Sequence, residues 1–157
     1  MKRALFLSLL ILVSACASDQ ADSSQSSSLP GHGAITLMVV PNPIVARNVG
    51  GNMYEFPFTV VVRETGGHPV NISRISVDVY ALGALRVASQ TYDAAQIASM
   101  GFATTVPANG ELRYAFHPQK EVTDDRVFGG VTAEVRVDGA DETHTAASAT
   151  TSVSVSR

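Results

Sequence analysis

The stretch MYEFPFTVVVR (residues 53–63) alternates large apolar side chains with mostly polar ones. In an extended chain, one face would carry the apolar residues Tyr54, Phe56, Phe58, Val60 and Val62. A period of two is typical of a β-strand that buries one face and exposes the other. Antiparallel sheets have such strands, because one side packs on a core and the other meets water. The stretch therefore predicts an antiparallel β domain.

Other segments of the chain repeat this alternation, and turn-forming clusters separate them. The alternating segments are RISVDVYA (74–81), ELRYAFH (111–117), VTAEVRVD (131–138) and SATTSVSV (148–155). The clusters, rich in glycine, proline, asparagine or aspartate, are NVGGN (48–52), TGGHP (65–69), PANG (107–110) and DGADE (138–142).

Two further segments depart from simple alternation. ITLMVVPNPIVA (35–46) contains two prolines, which cannot donate to a β-ladder, so we expect an edge strand that can switch sheets at the break. YDAAQIASMG (92–101) predicts one or two helical turns, with Asp93 as the N-cap and Gly101 just after the C-terminus.

The strand count and spacing over residues 34–157 resemble an immunoglobulin-like or fibronectin-III-like fold. The expected fold class is all-β: an antiparallel β-sandwich of seven to eight strands with one short helical turn. The cysteine–tryptophan–cysteine core of antibody domains is missing, and a jelly roll or small barrel stays open. Immunoglobulin-like topology would bring residue 34 into the domain beside the loops ETGGHPV (64–70) and DGADE.

The N-terminus has the layout of a secretory signal peptide over residues 1–15. A short basic start, Met1-Lys2-Arg3, precedes the apolar run ALFLSLLILV (4–13), and small residues follow. As a helix, this run would be about 15 Å long, half of a roughly 30 Å hydrocarbon core, which is too short for an ordinary membrane span.

The only cysteine of the chain, Cys16, ends this segment. Val13-Ser14-Ala15-Cys16 resembles the lipobox of bacterial lipoproteins. The resemblance implies that the Cys16 thiol carries a diacylglyceryl group and that the chain is cut before it. Alternatively, an ordinary signal peptidase could cut after Ala17 at ACA. In bacterial lipoproteins, aspartate directly after the cysteine resembles an inner-membrane retention signal. This chain has Ala17 at that position, so the resemblance also points to the outer membrane.

Residues 16–33 are predicted to be the lipidated cysteine and a flexible, serine-rich tether. The segment ASDQADSSQSSSLPGHG (17–33) has too few apolar residues to fold by itself, and we expect its histidine, His32, to be solvated. One cysteine allows no intramolecular disulfide, so the domain must be held together by its non-covalent contacts.

Few residues carry a pattern typical of binding chemistry. The four histidines lack the sequence spacing of a metal site, although a sandwich could bring His144 near His68. Asp138, Asp141 and Glu142 form an acidic cluster that could bind calcium. Asp138-Gly139 is also a preferred hairpin turn, which explains the cluster without a ligand. No cofactor is expected beyond the covalent lipid.

The sequence predicts a protein that is not an enzyme, since no catalytic motif is present. The formal net charge is −3 and there is no basic run, so a nucleic-acid partner is not expected. We expect a membrane-anchored lipoprotein of the bacterial cell envelope, bound to the bilayer through acylated Cys16 and to an unidentified envelope protein. It would act in protein–protein interaction or envelope structure. The alternatives are a ligand-binding module for glycan or calcium, and a sandwich resembling a protease inhibitor.

Overall fold

A computed structural model of the protein describes residues 25–82 and 85–157. The predicted signal peptide (1–15), Cys16 and residues 17–24 of the predicted tether lie outside these ranges. The described elements are β1 (Gln25–Ser27), β2 (Ile35–Val40), β3 (Ile44–Val45), β4 (Arg47–Gly50), β5 (Met53–Glu55), β6 (Phe58–Glu64), β7 (Val70–Ala81), β8 (Leu85–Asp93), α1 (Ala94–Ser99), β9 (Thr105–Val106), β10 (Glu111–Phe116), β11 (Gln119–Glu121), a 3₁₀ turn (Asp125–Phe128), β12 (Val131–Asp141) and β13 (Ala146–Ser156).

The strands form two main sheets and one small sheet. The first main sheet has the order β10-β6-β2. The second has the order β1-β13-β12-β7-β8, with β3 also paired to β13 and β9 to β7, and the small sheet is β11-β5-β4. Seven described strands have six residues or more, and they divide as β2, β6 and β10 against β7, β8, β12 and β13. This division and the antiparallel pairing confirm the predicted immunoglobulin-like sandwich.

The proline-containing first strand switches sheets as the sequence predicts. β2 pairs antiparallel with β6, and after Pro41 and Pro43 the chain continues as β3, which pairs parallel with the end of β13. Because neither proline has an N–H to donate, the ladder is interrupted where the chain crosses.

The core lies between the two main sheets and is built from the alternating residues. Val60 and Val62 of one sheet and Val135 and Val137 of the other are completely buried. Phe116 joins the layers, because its ring centroid lies 5.4 Å from that of Phe58 and 5.1 Å from that of Tyr92. Burial of such side chains supplies most of the stability of a domain that has no disulfide.

Helix α1 confirms the second local prediction. The Asp93 side chain accepts a hydrogen bond from the Gln96 amide at 2.8 Å, and the Gln96 side chain accepts one from the Asp93 amide at 2.9 Å. This reciprocal capping box satisfies two amides that a helix start leaves unpaired. Gly101 follows the helix with a φ of 84°, the left-handed conformation that glycine adopts easily.

Residues 25–33, predicted as the end of the tether, take part in the fold. β1 pairs with β13 in the register Gln25↔Thr150 to Ser27↔Ser148, and the Ser26 hydroxyl donates to the Ile35 carbonyl at 2.8 Å. The composition of this segment did not predict pairing, because backbone hydrogen bonds to an existing strand need no apolar side chains. The folded domain therefore includes Gln25–Ser27.

The acidic cluster also differs from its predicted turn. Asp138 and Gly139 belong to β12, where the register with β7 shifts between them. The hairpin turns instead at residues 142–144, where His144 has a φ of 65°. The turn preference of Asp-Gly is overridden because β7 and β13 pair with β12 on both sides of this dipeptide.

Candidate functional site

Two buried carboxylates, Glu64 and Asp141, organise one end of the sandwich. They are 1% and 3% exposed, respectively. Glu64 ends β6 and Asp141 ends β12, so each lies where a strand gives way to a loop. The entering chain at Gly33 and Ala34 connects them, because its two amides donate to Asp141 and to Glu64. We name this region the carboxylate end.

Glu64 gathers three loops by accepting four backbone hydrogen bonds. Its Oε1 accepts from the amides of Ala34 at 3.1 Å and Gly66 at 2.6 Å. Its Oε2 accepts from Gly67 at 2.9 Å and Asn109 at 2.8 Å. Desolvation alone would raise the pKa of Glu64, but the amide hydrogen bonds outweigh it and the pKa lies below its ordinary value. The carboxylate is therefore ionised at neutral pH without a cation among these four partners.

Asp141 plays the same part for the β12–β13 hairpin. Its Oδ1 accepts from the amides of Thr143 and Thr145 and from the Thr143 hydroxyl, each within 2.7–2.9 Å. Its Oδ2 accepts from the Gly33 amide, and His32 Nδ1 lies 3.1 Å away. The Thr143 hydroxyl, together with these amides, holds the pKa of Asp141 well below its ordinary range, against the opposing effect of burial.

His32 is consequently not a solvated tether residue, which corrects the sequence-based expectation. Its ring nitrogen lies beside both the Asp141 carboxylate and the Thr143 hydroxyl, the latter at 3.2 Å. The expectation was wrong because the neighbouring Gly33 is packed against the domain and does not make the chain flexible here. Gly33 lies so close to Val70 that a Cβ at this position would approach its Cγ2 to 2.6 Å. Residue 34 thus enters beside the loops after β6 and β12, as the immunoglobulin-like topology implies.

The structure separates the three residues considered for calcium. Asp138 accepts from Arg74 at 2.7 Å and from Arg136 at 2.8 Å, and these contacts lower its pKa although burial opposes them. Asp141 accepts hydrogen bonds from Thr143 and Thr145 within the hairpin, and Glu142 is exposed. Within residues 25–82 and 85–157, no group of three or more histidine, cysteine, aspartate or glutamate side chains is arranged to hold a metal ion.

The histidines of the domain make separate contacts. His68 Nδ1 lies 3.5 Å from Glu142 Oε1, and His117 Nδ1 lies 3.9 Å from Glu55 Oε1. The His144 amide donates to the Asp141 carbonyl and closes the hairpin. His68 therefore lies beside Glu142 of the same hairpin that contains His144.

The aromatic side chains are packed into the domain. None of the tyrosine and phenylalanine residues in the described part of the chain is fully exposed. Phe128 contacts Tyr54, and Phe102 contacts Tyr114, with ring centroids 5.2 and 5.5 Å apart. Glycan-binding modules use exposed rings as stacking platforms, so this arrangement does not favour the glycan alternative.

One open cavity lies where the first strand switches sheets. It is lined by the polar or charged side chains of Arg47, Thr59 and His117 together with Pro41, Val45, Pro57 and Phe58. Small-molecule sites usually enclose most of the ligand surface. This depression is open to solvent, and we do not assign it a ligand.

The sequence pattern did not predict one exposed feature, the edge strand β8. Of its large apolar residues, Leu85 and Val87 remain 59% and 53% exposed. β8 pairs with β7 on one side, and no strand within residues 25–82 and 85–157 pairs with its other side. The segment RVASQT (86–91) shows no clear alternation because its apolar content is low.

Comparison with known proteins supports the fold. No protein-family model and no curated protein matches the chain. The X-ray structure of the structural-genomics target SoR45 is similar, with a TM-score of 0.52 and 9% identity over 82% of this chain and 90% of that chain. At this identity the similarity shows a shared fold and nothing about function.

Two further solved structures have lower similarity. The C-terminal domain of wzt has a TM-score of 0.46 and 12% identity over 85% of this chain and 78% of that chain. The CARDB domain of the PF1109 protein from Pyrococcus furiosus, in complex with di-metal ions, has a TM-score of 0.39 and 17% identity over 82% and 94%. These scores support no conclusion about this chain. The fold and the carboxylate end together define an immunoglobulin-like β-sandwich domain. Among the described residues, no helix is long and apolar enough to cross a membrane.

Proposed function

We propose that this chain is a lipid-anchored protein of the bacterial cell envelope whose β-sandwich acts by binding protein rather than by catalysis. The observation that carries the anchor is the single cysteine of the chain, placed directly after a short apolar run in Val13-Ser14-Ala15-Cys16. Two or three acyl chains on one residue give stable membrane attachment, whereas one chain gives marginal binding.

The chemistry of the domain supports a role in binding. The best-shielded acidic groups, Glu64 and Asp141, are saturated by hydrogen bonds from the loops. A general base or a metal ligand needs a free lone pair directed at a substrate or ion. The acidic groups of the carboxylate end therefore favour a structural role, and the exposed edge of β8 offers a surface for protein contacts.

The position of β1 supports a domain held close to the bilayer. If residues 17–24 behave as the flexible tether that their composition predicts, the average reach from Cys16 to Gln25 is about 16 Å. β1 lies at one edge of the larger sheet and β8 at the other. The anchor would then attach to the β1 edge and leave the β8 edge accessible to partners. The absence of Asp after Cys16 favours the outer membrane as the location.

The test is the intact mass of the protein from its native membrane, with fragmentation of the N-terminal peptide. A mass that begins at Cys16 and includes two or three acyl chains is expected. A Cys16→Ala variant should carry no acyl group, because lipid transfer needs the thiol. An unmodified chain beginning at Ser18 in the parent protein would overturn the anchor.

A further inference from the structure

The edge strand β8 has features that natural proteins usually avoid. It is nine residues long, contains no proline or lysine, and most of its side chains are exposed. Long unprotected edges present unpaired N–H and C=O groups that pair readily with another strand. From Ala88 to Asp93 its register with β7 is regular, so no bulge interrupts this part of the free edge.

The residues of β8 are complementary to a second, antiparallel copy of the same strand. The register with β7 shifts at Val87, because Ala88 pairs with Val79 while Arg86 pairs with Tyr80. Val87 is thus an extra residue in the ladder. When two β8 strands are placed antiparallel with Gln90 opposite Gln90, this shift brings Arg86 of each strand opposite Asp93 of the other.

Other contacts fit the same register. Ser89 would face Thr91 of the second copy, a hydroxyl pair of the kind that stabilises antiparallel strands. In this register Leu85 lies opposite the start of α1 of the other copy. The exposed apolar side chains of Leu85 and Val87 would therefore lie beside Ala94 and Ala95 of that helix. A register centred on Ser89 would leave both Arg86 and Asp93 without an opposite charge on the second strand.

We propose that β8 is a self-association surface, through which two copies of this chain pair antiparallel about a two-fold axis at Gln90. The larger sheet of one copy then joins the larger sheet of the other to form one continuous sheet, with the β1 strands at its outer edges. The interface uses the same patch on both copies, as closed two-fold dimers require. The proposal does not depend on lipid attachment, because β8 lies at the opposite edge from β1.

Disulfide cross-linking tests both the surface and its register. Residues directly opposite in an antiparallel pair have Cα atoms about 4.5–5.5 Å apart, within the range that a disulfide spans. A Gln90→Cys variant of the full chain would be oxidised with copper phenanthroline in the cell fraction that contains it and run on a non-reducing gel. Ser152→Cys is the matched control, because Ser152 is also exposed on a strand of the same sheet. The parent chain controls for cross-links through Cys16.

The expected result is a covalent dimer for Gln90→Cys, with little dimer for Ser152→Cys or the parent. Adding Arg86→Glu to Gln90→Cys places like charges opposite each other twice, which should weaken dimerisation about tenfold and lower the cross-linked fraction. Adding Arg113→Glu should leave it unchanged. Arg113 is 63% exposed and pairs with Glu111, while Arg86 is 61% exposed and pairs with Asp78.

Two outcomes would overturn the proposal. Equal cross-linking of the Gln90→Cys and Ser152→Cys variants would show random collision, and no cross-linking at either position would show that β8 has no second copy beside it. Circular dichroism of each purified variant confirms that the sandwich is folded. If Arg86→Glu and Arg113→Glu lowered cross-linking equally, the pairing of Arg86 with Asp93 would be wrong.

Discussion

Replacing Glu64 with glutamine tests the role of the carboxylate end. The substitution keeps the size of the side chain and leaves an oxygen for two of the four donors. The other two, the amides of Gly67 and Asn109, would then face an NH₂ group that cannot accept a hydrogen bond. The change therefore removes acceptors without creating a cavity.

The expected loss of stability follows from these contacts. Each amide that loses its acceptor costs about 1 kcal/mol, the lower end of the usual range, since Gly67 and Asn109 are partly reached by water. The hydrogen bonds from Ala34 and Gly66 lose their charge-assisted part, about 0.5 kcal/mol each. We expect Glu64→Gln to lower the free energy of unfolding by about 3 kcal/mol at pH 7, or Tm by roughly 10 °C.

The same reasoning gives the pH dependence. Folding lowers the pKa of Glu64 below its ordinary value of 4.5, so its contribution is fully present above pH 4.5 and disappears as pH falls through the folded pKa. Glutamine does not titrate. The stability difference between the parent and Glu64→Gln should therefore be constant above about pH 5.5 and shrink at lower pH.

The assay is urea-induced unfolding of both purified proteins, followed by circular dichroism from pH 3 to pH 7. Glu111→Gln serves as the control, because Glu111 forms an exposed ion pair with Arg113 and should cost less than about 1 kcal/mol. A loss below 1 kcal/mol for Glu64→Gln at pH 7, or a difference that does not shrink in acid, would refute the assigned role of this carboxylate.

Three further substitutions test other parts of the domain. The hydroxyl of Tyr114 is buried without a hydrogen-bond partner among the described residues, and burial raises its pKa to about 12. In urea titrations, Tyr114→Phe should therefore leave the free energy of unfolding unchanged or raise it by up to about 1 kcal/mol. A clear loss of stability would contradict this. Asp93→Ala removes the capping bond to the Gln96 amide and should cost about 1 kcal/mol, measured as a lower urea midpoint with faster amide exchange in α1. Gly66→Ala would place a Cβ against the His32 carbonyl and should lower stability by about 2 kcal/mol in thermal melts, whereas an unchanged Tm would show that this loop can move aside.

Alternation predicts the antiparallel β domain, because it records which side of each strand meets the core, and the strand count and spacing favour the sandwich. β12 shows this most clearly: Val131, Ala133, Val135 and Val137 are buried while the residues between them are exposed. The helix was predictable from its capping residues, which act over three positions in sequence. β1 could not be predicted in this way, since Gln25–Ser27 pair through the backbone and none of their side chains is buried.

The carboxylate end was only partly predictable, because its contacts join positions far apart in the chain. The sequence singled out Asp141 as part of an acidic turn cluster, with calcium binding as the alternative, since an acidic residue near a turn is typical of both a loop cap and a cation site. Glu64 attracted no attention, because it stands at the end of an alternating strand where a polar residue is ordinary. Its burial depends on the Ala34 and Asn109 amides, which only the folded topology brings to it.

The two carboxylates explain how a sandwich with a single cysteine can hold its loop end together. Asp141 ties the entering chain at Gly33 to a hairpin more than a hundred residues away, and Glu64 ties the same entry to two other loops. Small exported domains often use disulfides for such connections. Here ionised acids serve instead, and they are saturated in doing so. Because the polar groups of this end are used for stability, a search for binding partners should begin at the free edge of β8, where backbone hydrogen-bonding groups remain available.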